Sequence, residues 1–127
     1  MKKDYKFYVY IMSNPKRTVL YIGFTNDLIR RIIEHKYGFG SEFTRKYKLT
    51  DLIYHEEYKY ADMAIDREKE IKGWRREKKI KLIQSFNSKM LELGKNVIIQ
   101  YGLNQKEIEM IIKELKNEKY KIKKGYS

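Results

Sequence analysis

Two strand-like segments joined by a five-residue turn open this chain, and they restrict what it can fold into more than any other feature. Tyr5-Lys-Phe-Tyr-Val-Tyr-Ile-Met12 and Thr18-Val-Leu-Tyr-Ile-Gly23 are built from aromatic and β-branched residues, the types that fit a pleated surface. Between them lies Ser13-Asn14-Pro15-Lys16-Arg17, which is turn chemistry and holds the only proline of the chain. An antiparallel hairpin follows. Two-residue alternation sends Phe7, Val9 and Ile11 to one side, and Tyr8, Tyr10 and Met12 to the other.

The pattern then changes to helical spacing. Leu28, Ile29, Ile32 and Ile33 form one stripe, with Thr25 or Asn26 as the expected cap and Asp27 in the first turn. The helix should end at Tyr37-Gly38-Phe39-Gly40-Ser41, where two glycines interrupt it. Residues 49–58 read as a third strand and 61–72 as a second helix. Residues 78–86 read as a shorter helical segment. The order β-β-α-β-α-α implies an α+β fold, a small three-stranded sheet flanked by helices. After Gly94 comes a short apolar run at 96–101. Asn104 with Glu107 then makes a capping box for a helix carrying Ile108, Ile111, Ile112 and Leu115. The expected organisation is one domain over 1–93 and a helical C-terminal extension over 94–127 with a basic tail. Its amphipathic helix should dock its stripe on the domain, the alternative being an add-on that binds a partner.

Charge narrows the function. Among 127 residues, 29 Lys and Arg stand against 17 Asp and Glu, a net charge of +12, which points to a polyanionic partner such as nucleic acid. No cysteine is present, excluding disulfides, thiolate nucleophiles and Cys-ligated metals. Two histidines are too few for a histidine-rich metal cage. No apolar run reaches the ~20 residues of a membrane span. Met1-Lys2-Lys3-Asp4 leads directly into the first strand rather than into a signal-peptide core. A cytoplasmic protein with no membrane association is the expectation.

Four polar groupings can carry chemistry. Tyr10 and Tyr21 sit on adjacent strands of the hairpin, where their hydroxyls could converge; tyrosine pairs in hairpins are also ordinary packing. Arg31 and His35 are four apart on one helix face, a fixed cation beside a switchable donor or base, which suits a phosphate. The plainer alternative is a solvated face with Arg30 or Arg31 paired to Glu34. Glu68 occupies a core-facing slot among Ala64, Ile65 and Ile71, so its carboxylate must meet a cation, a donor or a metal; Lys72 is the local candidate. Finally, residues 67–81 gather eight cations around Trp74. With the Ser41–Tyr47 loop they interleave cations and aromatics as a nucleic-acid groove does, although a charge run can also be a solvated helix face.

Taken in order, Tyr8-Val9-Tyr10, Tyr21-Ile22-Gly23, Arg31 with His35, and Glu68 resemble the GIY-YIG nuclease superfamily. Within it, the chain is most similar to small stand-alone bacterial members related to the N-terminal nuclease domain of the excision-repair subunit UvrC. The resemblance covers about residues 5–92, including Gly40-Ser41…Phe43-Thr44-Arg45 and Leu82-Ile83…Asn87. Two positions depart from the pattern: Tyr8 stands where the founding motif has glycine, and Phe24 where the repair nucleases carry lysine.

The resemblance implies metal-dependent hydrolysis of a phosphodiester. Tyr10 is then the general base or water-orienting group, and Tyr21 positions the water or phosphate. Arg31 neutralises charge on the scissile phosphate. Glu68 holds one divalent cation, Mg²⁺ or Mn²⁺, and His35 contacts phosphate or tyrosine. Gly23 and Asn87 are structural near the site. A phenol is only about 0.1% ionised at neutral pH, so Tyr10 needs ~4 kcal/mol of help as a base, and His35 is the better-matched base on intrinsic pKa. Arg30, Arg45, Lys46, Arg75, Arg76, Lys78 and Lys79 are the expected backbone-binding cations. The expected partner is DNA, double-stranded, branched or damaged, in a setting such as repair or recombination, with RNA not excluded. The alternative is a nucleic-acid-binding module that keeps the fold with little or no turnover.

Overall fold

The two opening segments pair as an antiparallel hairpin in the computed structural model of the chain, which describes residues 6–123, with side chains as far as Lys119. Strand β1 (Phe7–Ser13) lies against β2 (Leu20–Thr25), with Tyr10 opposite Gly23 and Met12 opposite Tyr21. Asn14 closes the turn: its Oδ1 accepts from the Thr18 and Val19 amides at 2.9 and 3.0 Å. Tyr5, expected in the first strand, and residues 124–127 of the expected basic tail lie outside the described residues.

Strand β3 (Asp51–Tyr58) adds antiparallel to the other side of β1, giving the order β2-β1-β3. The central position of β1 explains why Tyr8 through Ser13 are all buried. Both sheet faces are covered. Tyr8, Tyr10, Met12 and Leu52 pack against helix α1 (Leu28–Lys36) through Leu28, Ile32 and Ile33. On the opposite face, Val9, Ile11, Ile22 and Ile53 meet α3 (Ala61–Lys72) and α4 (Arg76–Phe86) through Ala64, Ile71 and Ile83. Glu56 reinforces that side, accepting hydrogen bonds from Tyr54, Tyr58 and Arg67. The architecture is the α+β class read from the sequence.

The details differ in two places, and a segment without an assigned element takes form. Strand β2 runs on through Thr25, so α1 is capped by Asp27, whose carboxylate accepts from the Arg30 amide at 3.1 Å. Thr25 Oγ1 instead accepts from the Asp27 amide at 3.0 Å. The loop before β3 contains a short helix, α2 (Glu42–Lys46), capped by Ser41. The apolar run at 96–101 forms a helix, α5 (Gly94–Gln100), with Val97 and Ile98 buried; a run that short carries no decisive period.

The last helix, α6 (Gln105–Lys123), begins with the expected capping box. Asn104 Oδ1 accepts from the Glu107 amide at 2.9 Å, and the Glu107 carboxylate accepts from the Asn104 amide at 3.4 Å. Its stripe docks on α1: Leu115 is buried in the same cluster as Tyr8 and Tyr10, with Ile108, Ile111 and Ile112 beside it. Arg30 of α1 pairs with Glu114 and Glu118 of α6 at 3.0 and 2.8 Å. Among the described residues, no helix is long and apolar enough to cross a membrane.

Candidate active site

Antiparallel pairing makes Tyr10 and Tyr21 diagonal neighbours on one face of the hairpin, with ring centroids 6.3 Å apart. Burial of Leu28, Ile32 and Ile33 turns the Arg31–His35 face of α1 toward them. The His35 ring centroid stands 5.9 Å from that of Tyr10 and 5.7 Å from that of Tyr21. These four residues line one pocket of about 380 Å³, together with Phe24, Glu34, Phe39, Gly40, Ser41 and Thr44. Gly23 is what lets Tyr10 fit. A Cβ there would stand 2.8 Å from Tyr10 Cε1, with Cζ and the hydroxyl oxygen nearer still.

The electrostatics follow from burial. His35 is 7% exposed, and its Nδ1 lies 3.1 Å from the Leu49 carbonyl oxygen. A carbonyl only accepts, so in the neutral imidazole Nδ1 carries the proton and Nε2 keeps its lone pair. Desolvation lowers the His35 pKa to about 4, outweighing the upward pull of the Leu49 bond, and Arg31 lowers it further. His35 is therefore neutral at physiological pH. Burial likewise pushes the Tyr10 phenol above the ordinary tyrosine range, and Tyr21 and Glu34 add to the rise; Arg31 is the opposing charge.

Glu34 is the residue that the sequence presented only as an ordinary ion-pair partner. Its carboxylate is buried at the pocket wall, 2.6 Å from an Arg31 guanidinium nitrogen and 3.6 Å from Arg30 Nε. The signal was its position three and four residues beyond those arginines. Phe39, from the loop, and Thr44, from α2, complete the pocket; Thr44 lies in the Gly40–Arg45 segment of the resemblance, whereas Phe39 carried no motif.

Other expected residues lie elsewhere. Glu68 is on α3, whose Ala64 and Ile71 pack on the opposite sheet face, and it does not line this pocket. Its side chain, 14% exposed, pairs with the far more exposed Lys72. Among the described residues there is no group of three or more acidic or histidine side chains that could hold a metal. Glu68, whose ion-pair partner among the described residues is the exposed Lys72, nevertheless fits a hard cation that keeps most of its waters. Asn87 caps α4 and donates to the Ile53 carbonyl at 3.0 Å and to the Leu91 carbonyl at 2.8 Å, tying β3 to the following segment. Arg30 is engaged by α6.

Arg45 and Lys46 are exposed on α2. Lys46 sits 5.5 Å from the Tyr47 ring, which is 4.7 Å from Phe43 and through it continuous with Tyr21. Arg75 and Lys78 line a pocket of about 610 Å³ beside Trp74. Arg76 donates to the Arg17 and Thr18 carbonyls at 2.7 and 3.1 Å, and Lys79 is half-buried on α4.

The architecture defines a class: a three-stranded antiparallel sheet whose hairpin carries two tyrosines against an arginine and a histidine of the following helix. The sequence model of the GIY-YIG catalytic domain matches residues 6–81, and the chain belongs to this family. It is 40% identical over 78 residues to a UPF0213 protein of Staphylococcus saprophyticus, covering 61% of this chain and 94% of that one. A UPF0213 protein of Natronomonas pharaonis is 38% identical over 76 residues, covering 60% and 88%. The solution NMR structure of the UPF0213 protein BH0048 from Bacillus halodurans matches with a TM-score of 0.44 and 30% identity, over 65% of this chain and 86% of that one.

Proposed function

We propose that this protein is a metal-dependent endonuclease that hydrolyses phosphodiester bonds in DNA, with repair or recombination as its setting. The carrying observation is the convergence of Tyr10, Tyr21, Arg31 and His35 on one pocket. Hydrolysis needs an oriented water, a route for its proton and positive charge where the phosphate gains negative charge. Arg31 meets the last need with a fixed guanidinium fork. Tyr10 orients the water, and Arg31 is the resident charge that favours its phenolate. Neutral His35 offers Nε2 as a proton acceptor beside both rings. Tyr21 positions the water or phosphate from the neighbouring strand. Glu68, which stands outside the pocket lining, is the carboxylate that would hold Mg²⁺ or Mn²⁺, and the ion when bound would supply a Lewis acid for a phosphate oxygen. Arg45, Lys46, Arg75 and Lys78 are exposed and able to bind flanking backbone.

The test is to incubate purified protein with flap, nicked, plasmid and single-stranded DNA, with Mg²⁺ or Mn²⁺, beside Arg31→Ala and Glu68→Ala. Metal-dependent cutting that both substitutions abolish supports the reading. Salt-sensitive binding without cutting, unchanged in Glu68→Ala, overturns it in favour of a binding module.

A further inference from the structure

A groove of about 510 Å³ continues from the tyrosine pocket, and Arg31, Glu34, Phe39 and Gly40 line both. Its far wall is α6, through Leu115, Glu118 and Lys119. That helix lies beyond residue 81, where the family match ends.

The charges in the groove are not equivalent. Glu34 is held by Arg31 and Arg30, and Glu118 by Arg30. Arg45 and Lys119 have no carboxylate partner among the described residues. Lys119 Nζ stands 5.8 Å from the centroid of the half-buried Phe39 ring. The groove therefore offers one aromatic ring flanked by two unneutralised cations, directly beside Arg31.

We propose that this groove seats the nucleotide next to the scissile phosphate, with its base against Phe39 and its own phosphate between Arg45 and Lys119. The inference rests on the nuclease reading and deepens it. The volume is ample for one nucleotide. A base stacked inside a duplex cannot reach such a ring, so the seated nucleotide is unpaired, as in a flap or a single strand. On this view α6 is a positioning element for the substrate strand, supplied from outside the family domain.

The test uses the full chain in EDTA, so that binding is read without cutting, and a labelled duplex bearing a five-nucleotide flap. One flap position at a time is made abasic. One position should lower affinity about 5- to 150-fold, as loss of a base–aromatic stack does. Phe39→Ala should remove that dependence. Lys119→Glu, on an exposed side chain, should weaken flap binding about tenfold while changing binding to the blunt duplex far less. Flap binding that is indifferent to abasic position and unaltered by Lys119→Glu overturns the groove assignment. If wild-type protein with metal still cuts DNA in that case, the nuclease reading survives alone; if it neither binds nor cuts, both readings fall.

Discussion

Gly23 lies directly across the β1–β2 ladder from Tyr10, and the Tyr10 ring fills the space that a side chain at Gly23 would need. The glycine of the second motif is thus a packing partner of the tyrosine of the first. A small residue on one strand determines where a reactive hydroxyl on the next can point.

Gly23→Ala should therefore displace the Tyr10 ring. Overpacking of this kind costs about 1–3 kcal/mol, and any cutting should fall together with stability. Urea denaturation and cleavage assays check both. Wild-type values in both would mean that the ring does not need this space.

Replacing Tyr10 with Phe removes one hydroxyl and little volume. Cutting should fall about 10²-fold or more if the hydroxyl handles the water or its proton, with DNA affinity retained. Normal cutting by Tyr10→Phe beside a dead His35→Ala would transfer the role of base to His35.

Stability should depend on pH through His35. Its folded pKa of about 4 lies below the ordinary 6.5, so between those values the unfolded chain binds more protons at this site. Its contribution is complete above about pH 6.5 and is lost as pH falls toward 4, by up to about 3 kcal/mol. Denaturation midpoints from pH 7.5 to 4 should show this slope, and it should flatten in His35→Gln. An unchanged slope in the variant would assign the acid sensitivity to other groups.

Glu34 restrains Arg31, so Glu34→Gln should release a cation toward phosphate. Oligonucleotide affinity at low salt should rise a fewfold, and the slope of log K against log salt should steepen by up to about one. Unaltered affinity and slope would show that Arg31 does not engage the backbone.

Two substitutions separate what anchors α6. Leu115 is buried, and Leu115→Ala should destabilise the protein by about 2–5 kcal/mol. Glu118 is exposed, and losing its pair with Arg30 should cost under about 1 kcal/mol. Calorimetry on both variants decides the order, and equal losses would give the ion pairs a larger part than packing.

The sequence by itself determined the hairpin, the sheet class, the helix stripes and the α6 capping box. Each depends on local periodicity or on a side chain reaching its own backbone. It also marked Tyr10, Tyr21, Arg31 and His35, because strand alternation and the four-residue helical repeat set their faces. Tertiary structure alone decided which marked residues meet. Glu68 is left out of the pocket lining because α3 packs through Ala64 and Ile71 on the sheet face opposite Tyr10. Arg30 is turned from solvent to Glu114 and Glu118 because α6 folds back across α1. Glu34 and Phe39 became part of the site only when helix, loop and sheet closed around them. Contacts between residues far apart in the chain depend on where whole elements pack, and no short sequence window carries that information.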